Sequence, residues 1–255
     1  MNMPTSFLYN DFPTFLRKYF PYKVQKISLN AGFTCPNRDG TKGWGGCTYC
    51  NNQTFNPDYC RTEKSIATQL EEGKCFFAHK YPDMKYLAYF QAYTNTYADT
   101  AEAVGRTAAC GILTGGHVIL GLPGETHDTM VEQAEILSEL PLSTLKIHQL
   151  QLIRGTRMAH EYAENPVDFH LFAKVDEYID LVIDYVEHLR PHIVVERFVS
   201  QSPKDLLIAP DWGLKNYEFV ARLQKRMKER GAYQGKKYKD SEKRIIFADD
   251  KLTTE

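Results

Sequence analysis

The stretch FTCPNRDGTKGWGGCTYCNNQTF, residues 33–55, places Cys35, Cys47 and Cys50 in one short loop. It follows KVQKISL (residues 23–29), which alternates polar and β-branched residues as a strand does. Two residues separate Cys47 from Cys50, a spacing that lets neighbouring thiolates reach one metal centre. Between Cys35 and Cys47 the chain is rich in Gly, which tolerates φ > 0 and close backbone approach, so the loop can wrap an object. Backbone N–H groups turned inward by such a loop suit the sulfides of an anionic cluster.

The fourth ligand separates the readings. Structural zinc takes four closed ligands, and catalytic zinc prefers three with His or carboxylate among them. Cys60 would complete a four-Cys zinc site, but it lies beyond residues 51–59 and has no paired Cys. Three thiolates on an iron–sulfur cluster leave one iron open to a substrate. Three ordinary buried cysteines are the plainest alternative.

The remainder of the chain bounds these readings. At 255 residues it is one large domain, or one domain with a small appendage, and long enough to bury a substantial core. The 31 Lys plus Arg nearly cancel the 32 Asp plus Glu, so global charge announces neither a nucleic-acid binder nor a membrane binder. No apolar run approaches a membrane span, and MNMPTSFLYNDF lacks the basic region and apolar run of a signal peptide. The expectation is a cytoplasmic protein without a membrane partner. Thiols there stay reduced, which points clustered cysteines toward metal or chemistry before disulfides.

Strand and helix patterns alternate along the chain. Helices are expected at 12–20, 65–81, 101–111 and 129–140, the last with Thr129 and Glu132 at capping-box spacing. Strands are expected at 23–29, 85–93, 115–125, 144–152 and 192–198. The strongest helix signal spans 169–189, where Phe172, Val175, Ile179, Val182, Val186 and Leu189 recur at steps of three and four. Such alternation implies an α/β fold with a parallel sheet, and a barrel is one way to close it. Functional residues then sit in loops after the strands. From residue 202 the chain becomes one helix, NYEFVARLQKRMKERG, and a Lys-rich tail.

GFTCPNRDGTKGWGGCTYC closely resembles the cluster loop of the radical S-adenosylmethionine superfamily. More narrowly, it resembles a branch of bacterial iron–sulfur oxidoreductases allied to the catalytic subunit of the eukaryotic elongator complex. Most of the superfamily has three residues between the first two cysteines, and this branch has a longer insert. The resemblance covers roughly residues 9–214. It implies that Cys35, Cys47 and Cys50 hold three irons of a [4Fe–4S] cluster whose fourth iron binds S-adenosylmethionine. It further implies reductive cleavage to a 5′-deoxyadenosyl radical and an electron donor such as flavodoxin or ferredoxin.

The same resemblance nominates cofactor-binding positions. Tyr49 matches the aromatic before the last Cys. Gln91, Tyr93, Asn95 and Thr96, in YFQAYTNTY, fall where the family places polar groups near the methionine end. Ile119 and Gly121, in HVILGLPGET, fall near the adenosyl part, although a Gly–Pro turn after a strand is usually just a turn. Lys146, His148 and Gln149, in KIHQLQ, fall at the barrel mouth, although a single strand His is more often a structural hydrogen-bonder. No residue is singled out as catalytic. Arg38 and Lys42 either offset cluster charge or face solvent, and Cys75 and Cys110 lie on helices as core or surface thiols.

The expected fold is a partial (β/α) barrel over residues 1–201 with a helical, basic extension over 202–255. One departure stands out. The family has six βα units, and about two, roughly 60 residues at about 30 each, are missing between YTNTYADT and AEAVGRT. A break between Thr100 and Ala101, with residues omitted there, is the expected cause; a true deletion would cripple cofactor binding. RNA is the most concrete substrate, specifically a tRNA wobble uridine, from the elongator-like kinship and the basic residues Lys225, Arg226, Lys228, Arg230, Lys236 and Lys237. A small molecule or protein is the alternative for an enzyme, and a zinc-stabilised nucleic-acid-binding module is the alternative without catalysis.

Overall fold

In the computed structural model, residues 8–51, 54, 56–78, 83–90 and 99–240 are described. The chain begins with a short helix α1 (Phe12–Arg17), capped by the Asp11 carboxylate accepting from Thr14 N at 2.8 Å. Strand β1 (Val24–Leu29), helix α2 (Ile66–Ala78) and strand β2 (Lys85–Phe90) form a βαβ unit in which β1 and β2 pair in parallel. Alternation decides the faces. Ile27 and Leu29 are fully buried with Tyr59 and Cys60 under α2. Lys26 therefore points to the opposite face, away from the helix.

Helix α3 (Thr100–Ala109) leads to β3 (Gly115–Leu120), α4 (His127–Glu139) and β4 (Thr144–Gln149). The short β5 (Leu152–Ile153), α5 (Arg157–Glu164), α6 (Val175–His188), β6 (Val194–Arg197), β7 (Leu207–Ala209) and α7 (Asn216–Glu229) follow. β3, β4 and β6 form a parallel sheet in that order, while β5 and β7 pair antiparallel. The fold is α/β with parallel strands joined by helices. Two side-chain contacts bring the parallel sheets face to face: Lys26 Nζ to Glu196 Oε2 at 2.6 Å and Lys146 Nζ to Tyr89 Oη at 2.5 Å. The sheets thus share a polar interior, and no closed barrel forms among the described residues.

Asp99 caps α3, its carboxylate accepting from Ala101 N at 2.9 Å, and its carbonyl accepts from Ala103 N at 2.8 Å.

α6 supports the second sheet. The apolar stripe expected there is buried, but so are Tyr178, Leu181, Ile183 and Tyr185, because α7 covers a second side with Phe219, Leu223 and Met227. The C-terminal extension therefore shares this core. The helix starts at Val175, later than the apolar spacing predicts. Phe172 lies outside it, its ring 5.1 Å from that of Tyr178. α4 starts two residues earlier than predicted, with Thr126 as its cap; the capping box is Thr126 with Thr129, because Thr129 Oγ1 accepts from Thr126 N at 2.8 Å. α5, β5 and β7 have no counterpart in the expected elements. Among the described residues, no helix is long and apolar enough to cross a membrane.

Candidate functional site

The cysteine loop leaves the C-terminal end of β1, and a buried amide fixes its exit. Gln69, fully buried on α2, accepts from Asn30 N at 2.8 Å and donates to the carbonyls of Asn30, Arg61 and Lys64, each at 2.9 Å. Within the loop, the Cys35 carbonyl accepts from Arg38 N (2.7 Å) and Asp39 N (3.0 Å). Gly46 N donates to the Asn37 carbonyl at 2.8 Å. Gly46 has φ +90°, which favours glycine, and the Arg38 guanidinium lies against it. Arg38 thus packs within the loop.

None of the three thiols is in a disulfide. Asn37 Nδ2 donates to Cys47 Sγ at 3.2 Å, as a donor to a cluster thiolate would. Tyr49 is hydrogen-bonded to Cys47 and lies within electrostatic reach of Cys50 and Cys35. Burial, then these thiols, push its pKa up to about 12. The loop docks on the start of α5 and the turn before it through Met158 N to the Thr48 carbonyl (3.0 Å) and Asn51 Nδ2 to the Arg154 carbonyl (3.2 Å).

A cavity of about 700 Å³ opens beside the loop, over the C-terminal ends of β3 and β4. Tyr49, Cys50, Ile119, His148 and Gln149 all line it. Four of the expected cofactor positions and one cysteine are therefore brought together. Gln149 lines it with its amide already engaged, donating to the Ser200 carbonyl (3.2 Å) and accepting from Ser200 N (2.9 Å). Gly121 shapes the rim: its φ is +92°, and a Cβ would meet the Phe172 ring at 2.7 Å. Gln91, Tyr93, Asn95 and Thr96 lie outside the described residues. Lys146 faces the interior below the mouth rather than the mouth itself, bonded to Tyr89. Cys75 and Cys110 are exposed, and Cys60 is buried under α2.

Five interior residues went unread in the sequence: Lys26, Tyr89, His117, Glu196 and Arg197. Arg197 Nε donates to His148 Nε2 at 2.9 Å, so His148 accepts there and is neutral. Burial, then Arg197, push its pKa down to about 2. Burial, then Lys146 and Arg197, hold His117 at about 4. Burial lowers Lys146 to about 8 despite Glu196, which lies 3.8 Å away. For Glu196 burial works upward, but Lys146, Lys26 and the Thr144 hydroxyl outweigh it and hold the carboxyl below its usual value. Adjacent charges inside an apolar strand, VVERF, were the available signal. Glu125, also unread, accepts from Gly121 N (2.9 Å), Leu122 N (2.8 Å) and Gln133 Nε2 (2.6 Å), pinning the loop after β3.

The basic C-terminal residues are largely spent on α6. Arg226 pairs with Asp176 and Asp180, Arg230 with Asp180 and Asp184, and Lys236 and Lys237 with Glu187. Lys225 faces Glu229 at 3.9 Å. The expected open basic face is thus mostly neutralised within the fold.

Residues 142–229 match the radical SAM C-terminal domain. Protein YtqA of Bacillus subtilis is 29% identical over 292 residues, covering 87% of this chain and 90% of that protein. YhcC of Escherichia coli is 24% identical over 296 residues, covering 88% and 94%. Since 87% of 255 residues is about 222, about 70 positions of the YtqA alignment face no residue here, close to the two units found missing. Elp3 of Methanocaldococcus infernus superposes with a TM-score of 0.46 at 16% identity, over 56% of this chain and 33% of that one. In its C-terminal match over residues 142–229 and in its cysteine loop at residues 35–50, the chain is similar to proteins of the radical S-adenosylmethionine superfamily.

Proposed function

We propose that this chain holds a [4Fe–4S] cluster on Cys35, Cys47 and Cys50 and reductively cleaves S-adenosylmethionine beside it, initiating hydrogen abstraction from a substrate in the adjoining cavity. The observation that carries the reading is Tyr49 at the wall of that cavity, hydrogen-bonded to Cys47 and within electrostatic reach of Cys50 and Cys35. The cluster and S-adenosylmethionine, when bound, supply the radical chemistry, with an electron from a donor of the flavodoxin or ferredoxin class. The residues of the chain orient and insulate. Tyr49 stays protonated at neutral pH and donates toward sulfur. Asn37 donates to Cys47. His117 and His148, both neutral, present no exchangeable charge to the mouth.

The tRNA wobble uridine remains the most concrete substrate proposal. Its support is the resemblance of the cysteine loop; the ion pairs on α6 remove most of the electrostatic support from the C-terminal face. A small molecule or a protein is the competing substrate class.

The test is anaerobic reconstitution of the full chain, with iron, sulfide and zinc measured and 5′-deoxyadenosine followed after a reductant and S-adenosylmethionine are added. Iron with sulfide and formation of 5′-deoxyadenosine are expected, and each of Cys35→Ala, Cys47→Ala and Cys50→Ala should abolish both signals. Zinc without iron would instead favour the non-catalytic module. A loaded cluster with no 5′-deoxyadenosine would show that the shortened barrel does not complete the cofactor site.

A further inference from the structure

The interior between the two sheets is unbalanced in charge. Lys26 and Lys146 both face Glu196, at 2.6 and 3.8 Å, so one carboxylate serves two ammonium groups. Arg197, beside Glu196 on β6, is a third cation. Its Nε is occupied by His148 at 2.9 Å, which fixes the plane of the guanidinium. Among the described residues its two terminal nitrogens have no hydrogen-bond partner. They belong to a side chain lining the same cavity as Tyr49 and Cys50. Glu125, the one carboxylate among the described residues lining that cavity, already accepts three hydrogen bonds. His117 and His148, on the neighbouring strands β3 and β4, are neutral and do not take the place of Arg197 as a cation.

We infer that Arg197, positioned by His148, anchors an anionic group of the substrate, a carboxylate or a phosphate ester, at the floor of the cavity. A guanidinium with its fork free and its Nε clamped is preorganised for two parallel bonds to such a group. An anion there would also relieve the surplus of interior cations. The inference rests on the reading of this cavity as the reaction site, and it adds the chemical class of what enters.

The test uses the reconstituted full chain, with inorganic phosphate and acetate as probes in titration calorimetry at low salt and S-adenosylmethionine in equilibrium dialysis. The wild type should bind one or both anions. Arg197→Gln should weaken that binding by about tenfold or more, as expected for a charge-assisted pair. Arg197→Lys, which keeps the charge and loses the fork, should weaken it less, and it carries the test if the Gln variant does not fold. S-adenosylmethionine binding should change by less than about twofold, since a larger loss means the anchored anion is the carboxylate of the cofactor. That result, or anion binding absent in the wild type, or anion binding equal in wild type and variants, would overturn the assignment. Phosphate binding preferred over acetate points to a phosphate ester, and the reverse to a carboxylate. Formation of 5′-deoxyadenosine by the wild type is scored separately, so its failure would remove the radical reading while leaving the anion site measurable.

Discussion

Replacing Glu196 by Gln should destabilise the protein more than a change of one atom would suggest. Its carboxylate accepts from Lys26 at 2.6 Å and from Thr144 Oγ1 at 2.9 Å, and it lies 3.8 Å from Lys146. The Glu196 and Lys146 side chains are only 12% and 8% exposed. Gln keeps the shape and removes the charge, leaving three interior cations without a counter-ion. Breaking a buried pair by deleting one partner costs about 3–5 kcal/mol. Lys26, at 27% exposed, can turn its head toward water, which argues for the lower end, about 3 kcal/mol. For a chain of this size that is a drop in Tm of about 6–12 °C.

The pH dependence gives an independent check. The folded pKa of Glu196 lies below its unfolded value, so the ionised form favours the folded state. The contribution is fully present above the unfolded carboxylate pKa and is lost as pH falls through the folded one. Urea denaturation of wild type and Glu196→Gln should therefore show the full gap at neutral pH and a closing gap in acid. A gap under about 1 kcal/mol at neutral pH, or one that persists undiminished in acid, would refute the claim that this carboxylate holds the two sheets together.

Other expectations follow from the same geometry. Gly121→Ala places a Cβ 2.7 Å from the Phe172 ring at φ +92°, and should cost about 2 kcal/mol or more in urea denaturation, with the Glu125 hydrogen bonds to the loop weakened. Lys146→Met should be less destabilising as the assay is moved to lower pH. The wild type gains stability as pH rises from about 8 toward the ordinary lysine value, where the unfolded state still binds the proton, and the variant lacks that gain. Cys60→Ala, Cys75→Ala and Cys110→Ala should leave iron content unchanged, since the three residues lie on or under helices away from Tyr49.

The cysteine loop was legible because its chemistry depends on spacing along the chain, and spacing is what a sequence displays. The polar interior was not. Its members come from β1, β2, β3, β4 and β6, and Lys26 and Glu196 are 170 residues apart. Read alone, the alternation in KVQKISL suggests a half-exposed strand with its polar side in water. The fold inverts this: Ile27 and Leu29 face the covering helix α2, and Lys26 faces the enclosed interior. In a sheet that wraps a space and is coated by helices, the helix-facing side is the apolar one, and an inward lysine signals an ion pair rather than solvent. The shortfall of two βα units was visible from counting strands.

The C-terminal face shows the same limit with charge in place of hydropathy. Arg226, Arg230, Lys236 and Lys237 form a basic run when read by themselves. On α6, Asp176, Asp180, Asp184 and Glu187 recur at steps of four, four and three, so they stack on one ridge. That ridge was hidden because the strong apolar stripe of the same helix dominated its reading. Folding sets run against ridge, and Glu187, 3% exposed, takes both lysines of the tail. The partly exposed arginine pairs are each worth little alone, but they share carboxylates across two helices whose apolar sides already touch. Adding salt should therefore loosen the docking of α7 on α6. Amide exchange across residues 216–229 at low and high salt measures that directly. Faster exchange at high salt is expected, and exchange indifferent to salt would mean that Phe219, Leu223 and Met227 hold α7 without help from the ridge.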